Sequence, residues 1–329
     1  MGIFELIFYY KILYIYNMVR YILFIIFMLF LAVIYKKYDL KNKLNDKASE
    51  YDLIQKYFFN KNDDFPEISK DKNIIWIYIE NEKDSKKAHC PYILWCIESI
   101  INNSGNDFKI ILIDTDSFKR LLPDWDINFD IISNPIKENF INLGILKILY
   151  KYGGIKLPNS CILLKNLSKI YNYSLSENDS FCVEENNKSL YNEFENYVPG
   201  LNIYGCKKNS EVINNLIKYY ENIILKDNTN NFKITGQIHK KLDFYCKNKK
   251  MNLVNGKFFG IKDEDNTPVN VDRLMSSKYI NFTKKMVLLY IPNDDLKKIN
   301  KYNWITKISQ TDLRQCNNII CKYFILGGC

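Results

Sequence analysis

The chain has 329 residues, is 47% hydrophobic and 15% aromatic, and carries a formal net charge of +9, enough apolar material for one sizeable core of roughly 250 residues. The charge does not describe a nucleic-acid binder. Of 46 basic residues only Arg20, Arg120, Arg273 and Arg314 are arginine, the side chain that forks onto phosphates and bases, and the lysines are scattered among asparagines and tyrosines. Nine cysteines occur without a C-x-x-C pair, which excludes a zinc site of the usual spacing. The expectation is free, mostly buried thiols, as suits a reducing compartment.

Tyr21 to Tyr35 is free of charge, and counting back to Met18 gives eighteen residues, a span of ~27 Å as a helix. Arg20 snorkels at one end and Lys36 and Lys37 anchor the other. This predicts an N-terminal transmembrane helix over about 18–36 within an anchor spanning 1–38. A cleaved signal peptide is the rival reading, but no A-x-A-like site follows and the preceding segment is long. Lysines 36, 37, 41, 43 and 47 outnumber Lys11 and Arg20 on the other flank, so the positive-inside rule favours a cytosolic globular part. Sequons at Asn102 and Asn281 fit a lumen instead, though an asparagine-rich chain produces them by chance.

Residues 39–72 are polar and charge-rich, a stem or linker, and the globular domain is expected over 73–329. "NIIWIYIE" from Asn73 predicts a buried strand, and Pro91 opens a helix through "YILWCIESIINN". "FKIILID" from Phe108 is a second strand and "FDII" from Phe129 a third. Apolar residues between Glu138 and Tyr152 predict a helix that Gly153-Gly154 terminates. "SFCVEE" and "LNIYGC" follow as strands, then helices over 210–225 and 236–247. Strand and helix alternating in this order predict a doubly wound, Rossmann-like α/β sheet with flanking helices and ligands beyond the carboxyl ends of the strands.

The stretches "IIWIYIENEKDSKKAHCPYILWCIESI", "FKIILIDTDSF" and "LGILKILYKYGGIKL", in this order and spacing, resemble the capsular-polysaccharide-synthesis and mannosyltransferase-like group of GT-A glycosyltransferases. The resemblance covers about 73–165 well, and "GLNIYGCKKNSEVINNL" and "ITGQIHKKL" more loosely. It implies a GT-A-like mixed sheet binding a nucleotide-sugar, with a helix ending in Tyr-Gly-Gly. The next strand then carries Asp-x-Asp, holding Mn²⁺ or Mg²⁺ against the diphosphate. It also implies a glycan or lipid-linked acceptor, and a domain facing the lumen.

In this sequence the Asp-x-Asp falls on Pro158, Asn159 and Ser160, the acidic residue of the preceding helix on Asn142, and the arginine three residues on falls on Ile145. Metal ligands are therefore lost: the ion is held by charged carboxylate oxygens, and Asn159 and Ser160 offer only weak neutral ones. By this resemblance Trp76, Asp114, Asn142, Gly153, Gly154, Lys156, Asn159 and Ser160 are the candidate nucleotide-binding residues. Asp114-Thr115-Asp116 also reads as plain loop surface, and Gly153-Gly154 as a helix stop packed on the sheet. Lys156, Lys151, Lys165 or His239 are the fixed cations that could replace the metal. Glu184, Glu185 and His239 are the catalytic candidates, weighed against solvent-facing acids and a surface histidine. Two functions remain: a membrane-bound glycosyltransferase with altered metal use, or a non-catalytic descendant that binds glycan or scaffolds an active glycosyltransferase partner.

Overall fold

A computed structural model describes residues 18–21, 23–25, 27–36, 56–57, 72–80, 90–187, 196–226 and 231–328. The chain divides into two compact units, Met1–Lys56 and Tyr57–Cys329. In the first, helix α1 (Met18–Lys36) has 19 residues and is long and apolar enough to cross a membrane. Most of the expected stem, the segment before Met18 and His89 lie outside the described residues.

The second unit is built on a six-stranded mixed sheet: β1 (Asn73–Tyr78), β2 (Phe108–Ile113), β3 (Gly154–Leu157), β5 (Ser180–Asn186), β6 (Tyr197–Cys206) and β7 (Asn252–Val254). Their order is β2-β1-β3-β6-β5-β7. β1 runs parallel to β2 and β3, and β5 parallel to β7, while β6 is antiparallel to both its neighbours. The carboxyl ends of the other five strands therefore meet the start of β6 at one pole. Ile74 to Ile77 are all buried, as a central strand covered on both faces requires.

On one face Trp76, Ile113, Cys182 and Tyr204 pack with α4 (Ile136–Tyr152), α6 (Glu211–Lys226) and α7 (Asn231–Lys247). On the other lie α2 (Pro91–Asn103), α5 (Ser168–Ser174), α11 (Ile319–Leu326) and a two-stranded antiparallel sheet of β4 (Cys161–Leu163) with β8 (Leu288–Tyr290). Asn103 joins these pieces, its Nδ2 donating to the carbonyls of Leu163 and Gly327 at 3.0 Å each.

Three expectations are corrected. "FDII" forms no strand: Phe129 alone turns inward, with its ring 5.5 Å from Phe118 and 5.9 Å from Trp125, while Ile131 is 81% exposed. β2 is thus an edge. Helix α7 begins at Asn231, earlier than Gly236. Not every cysteine is free, because Cys316 and Cys321 form a disulfide.

The two glycines after α4 have a demand internal to the fold. Gly153 (φ +72°) and Gly154 (φ +105°) sit in the left-handed region. A Cβ on Gly154 would stand 2.4 Å from the Ile74 carbonyl oxygen, so the turn must be glycine where β3 meets β1. Gly154→Ala is expected to lower the unfolding free energy by about 2–4 kcal/mol, through strain and collision together. Gly236→Ala inside α7, where a Cβ meets nothing within 4 Å, should raise it by about 0.5–1 kcal/mol. Urea denaturation of the two variants checks both signs.

Candidate functional site

The carboxyl pole is shaped by a break in β6. Cys182 pairs with Tyr204, yet the next residue, Val183, pairs with Gly200, so Leu201, Asn202 and Ile203 bulge out of the β5 ladder. On the other side the β3 ladder stops at Lys156 opposite Tyr204. Backbone groups released this way must find other partners. Lys156 Nζ donates to the Leu201 carbonyl at 3.0 Å, and the Asn202 amide donates to Glu185 Oε1 at 2.5 Å. Gly200 makes the second contact possible, because a Cβ there would lie 1.9 Å from the Glu185 carboxyl carbon.

Lys156 is therefore a fixed cation at the pole. Burial pushes its pKa down to about 8, against the opposing pull of Glu185, Asp294 and Glu138. Tyr290 closes the group. Burial, with Glu185, Asp294 and Asp295 nearby, pushes its phenol pKa up, so it stays protonated. Tyr290, Asp294 and Asp295 were missed in the sequence reading. The signal was there as two adjacent acids after the short run "LLYIP".

Pro158, Asn159 and Ser160 form the turn between β3 and β4. Ser160 is buried. Its hydroxyl donates to the Ile291 carbonyl at 3.0 Å and its own carbonyl accepts from the Ile291 amide at 2.9 Å, extending the β4–β8 pairing. Among the described residues no three His, Cys, Asp or Glu side chains gather to hold a metal ion. A hydroxyl already committed to a carbonyl and a neutral amide do not fit the ion that the resemblance implies.

The other expected residues spread out. Trp76 is fully buried and its Nε1 donates to the Gly153 carbonyl at 2.9 Å, pinning the glycine turn to β1. Gly153 and Gly154 lie at the amino end of β3, opposite Pro158, and line a cavity of about 450 Å³ with Lys72, Lys207 and Lys208. Asp114 is the N-cap of α3 (Thr115–Leu121), its Oδ1 accepting from the Ser117 amide at 2.8 Å and the Ser117 hydroxyl at 2.7 Å. Beside it the buried Tyr78 hydroxyl has no hydrogen-bond partner among the described residues. Asn142 is turned to Tyr220 on the α4–α6 seam, where the Tyr220 hydroxyl also donates to Asn139 at 3.1 Å.

Glu184 and Glu185 point to different tasks. Glu184 Oε2 pairs with Lys262 at 2.5 Å and accepts from the Gly256 amide at 2.8 Å, in a nearly closed site where the Lys262 ammonium lies 4.4 Å from the Tyr197 ring centre. His239, on α7, is held neutral by burial. Lys151 donates to the Leu121 carbonyl and Lys165 to the Lys284 carbonyl. A larger cavity of about 890 Å³ lies between α5, β7 and the small sheet, lined by Val254, Phe258, Val287 and Lys165. Neither cavity is lined by Pro158 to Ser160.

No protein-family model matches the sequence, and no curated protein matches it. Among solved structures the chain is similar to the glycosyltransferase GlyE of Streptococcus pneumoniae TIGR4, at 11% identity and a TM-score of 0.35 over 57% of this chain. It spans about half of GlyE, 46% of that length. Mouse xyloside xylosyltransferase 1 is similar at 10% identity and a TM-score of 0.36, over 57% of this chain and 87% of its own. The galactosyltransferase LgtC is similar at 11% and 0.38, over 78% and 95%. Likenesses at such scores decide nothing about the reaction.

Two outcomes follow from the charges. Glu184→Gln strands the Lys262 ammonium, and is expected to cost about 3–5 kcal/mol in denaturant unfolding. For Lys156 the folded pKa lies below the unfolded one of 10.5, so the unfolded chain binds more protons between them and stability from this group rises with pH. Unfolding measured from pH 7 to pH 9.5 on the wild type and on Lys156→Met should show the difference moving in favour of the wild type above about pH 8. A difference independent of pH would contradict the burial of this ammonium.

Proposed function

We propose that the chain is a membrane-anchored, glycosyltransferase-like protein that binds a nucleotide-sugar or glycan at the carboxyl pole, without a divalent ion at the Asp-x-Asp position. The observation that carries this is Ser160: its hydroxyl and carbonyl are both spent on Ile291, where the family resemblance calls for a carboxylate facing the ligand. Residues 73–165 support the glycosyltransferase class by sequence. Helix α1 supports the anchor by its length and composition.

In this reading Lys156 supplies the fixed positive charge that stabilises a leaving diphosphate, and Glu185, across the β6 bulge, is the acid positioned to receive a proton from an acceptor hydroxyl. Glu184 holds β5 to Lys262 and the Gly256 turn, and takes no part in transfer. A second reading, a non-catalytic glycan-binding or scaffold protein, is favoured by one feature. The charges of Glu185, Asp294 and Glu138 all act on Lys156, and those of Glu185, Asp294 and Asp295 on Tyr290. An acid excess suits sugar hydroxyls, which donate to carboxylates, better than it suits a bare diphosphate.

Calorimetric titration of the purified chain with uridine and guanosine diphosphates, with and without Mn²⁺, tests the proposal. The expected result is an affinity that Mn²⁺ changes by less than about twofold and that Lys156→Met lowers about tenfold or more, the range of a charged contact. Tenfold tightening by Mn²⁺ would overturn the metal-free site. Binding of free sugars with no nucleotide binding under either condition would select the second reading.

A further inference from the structure

The thiols of Cys182 and Cys246 stand 3.7 Å apart. Cys182 lies in β5, fully buried, at the last residue that keeps register with β6 before the bulge. Cys246 lies in the last turn of α7 and is partly exposed. A disulfide requires ~2.05 Å between sulfurs, so closure asks for a movement of about 1.7 Å. The end of α7 can supply it: the chain leaves the helix at once through a turn in which Lys249 is left-handed at φ +54°.

We propose that Cys182 and Cys246 are a thiol-oxidation site at which a small disulfide, such as oxidised glutathione, writes a covalent link between β5 and α7. The two sulfurs have unequal roles. The contact between the two thiols draws the Cys246 pKa down and, with burial, pushes the Cys182 pKa up, so the more exposed member is the nucleophile and the buried one resolves.

The Cys246 thiolate attacks one sulfur of the small disulfide, forming a mixed disulfide and expelling one thiolate. Cys182 then gives up its proton and attacks Cys246 Sγ, expelling the second thiol. Two protein thiols are oxidised and one small disulfide is reduced to two thiols. Cys161 and Cys206 are also buried with raised pKa values, and their thiols donate to the Pro158 and Leu149 carbonyls, so they stay inert to the same reagent. The link would fix β5 two residues before Glu184 and three before Glu185, on the strand that holds the bulge. Its formation is independent of whether a sugar binds.

The test uses the full chain in detergent, incubated with oxidised glutathione, digested without reduction and mapped by mass spectrometry. The expected product is a cross-linked peptide pair containing Cys182 and Cys246. With it, the thermal midpoint should rise by about 5–10 °C and fall back with dithiothreitol. Cys182→Ser should instead retain glutathione on Cys246 and show no rise. If that variant fails to fold, the mapping of the wild type still decides. A wild type that ends with glutathione on Cys246 and no link, or no change at either cysteine, overturns the proposal.

Discussion

The backbone of Leu201 to Ile203 sets the terms for the carboxyl pole. Once β6 abandons both of its ladders there, peptide groups are left that the interior cannot leave bare. The chain answers with charged side chains from the two flanking strands, Lys156 from β3 and Glu185 from β5. Each is thereby held in place by the fold before any ligand arrives. Gly200 belongs to the same device, since only a residue without a Cβ lets the Glu185 carboxylate lie so close to the bulge. A lysine and a glutamate are thus fixed on either side of one bulge.

The turn at Pro158 to Ser160 has a task of its own within the fold. It is the hinge from β3 into the small sheet, and Ser160 carries the first rung of that sheet through Ile291. Replacing the hydroxyl by a carboxylate would bury a charge with a carbonyl oxygen as its nearest neighbour, an arrangement that costs several kcal/mol.

Much of the scaffold was legible because its signals are local. Four consecutive buried residues in β1, a proline at the first position of α2, and an apolar run ending in two glycines at α4 each state their own element. "FDII" shows where local signals fail. Its apolar residues look like a strand, but Phe129 is claimed by the aromatic cluster of Phe118 and Trp125, and Ile131 is left exposed. The candidate site was harder to read. Lys156 and Glu185 were named singly, but their meeting depends on a three-residue slip between β5 and β6 that no periodicity records. The Cys316 and Cys321 spacing was visible; only the turn between α10 (Gln310–Gln315) and α11 shows that the two sulfurs bond.

The glycine turn and the turn at Pro158 to Ser160 answer to different demands. Gly153 is required by its φ of +72° and the Lys208 amide 3.0 Å from where a Cβ would stand, and Gly154 by the Ile74 carbonyl, groups within the fold that are present whatever the protein binds. Residues 158–160 would be required to be acidic only by a bound cation. In this chain Ser160 instead supports the small sheet. A Tyr-Gly-Gly turn with no aspartates after it is thus physically coherent: the helix stop preserves the sheet whatever follows it.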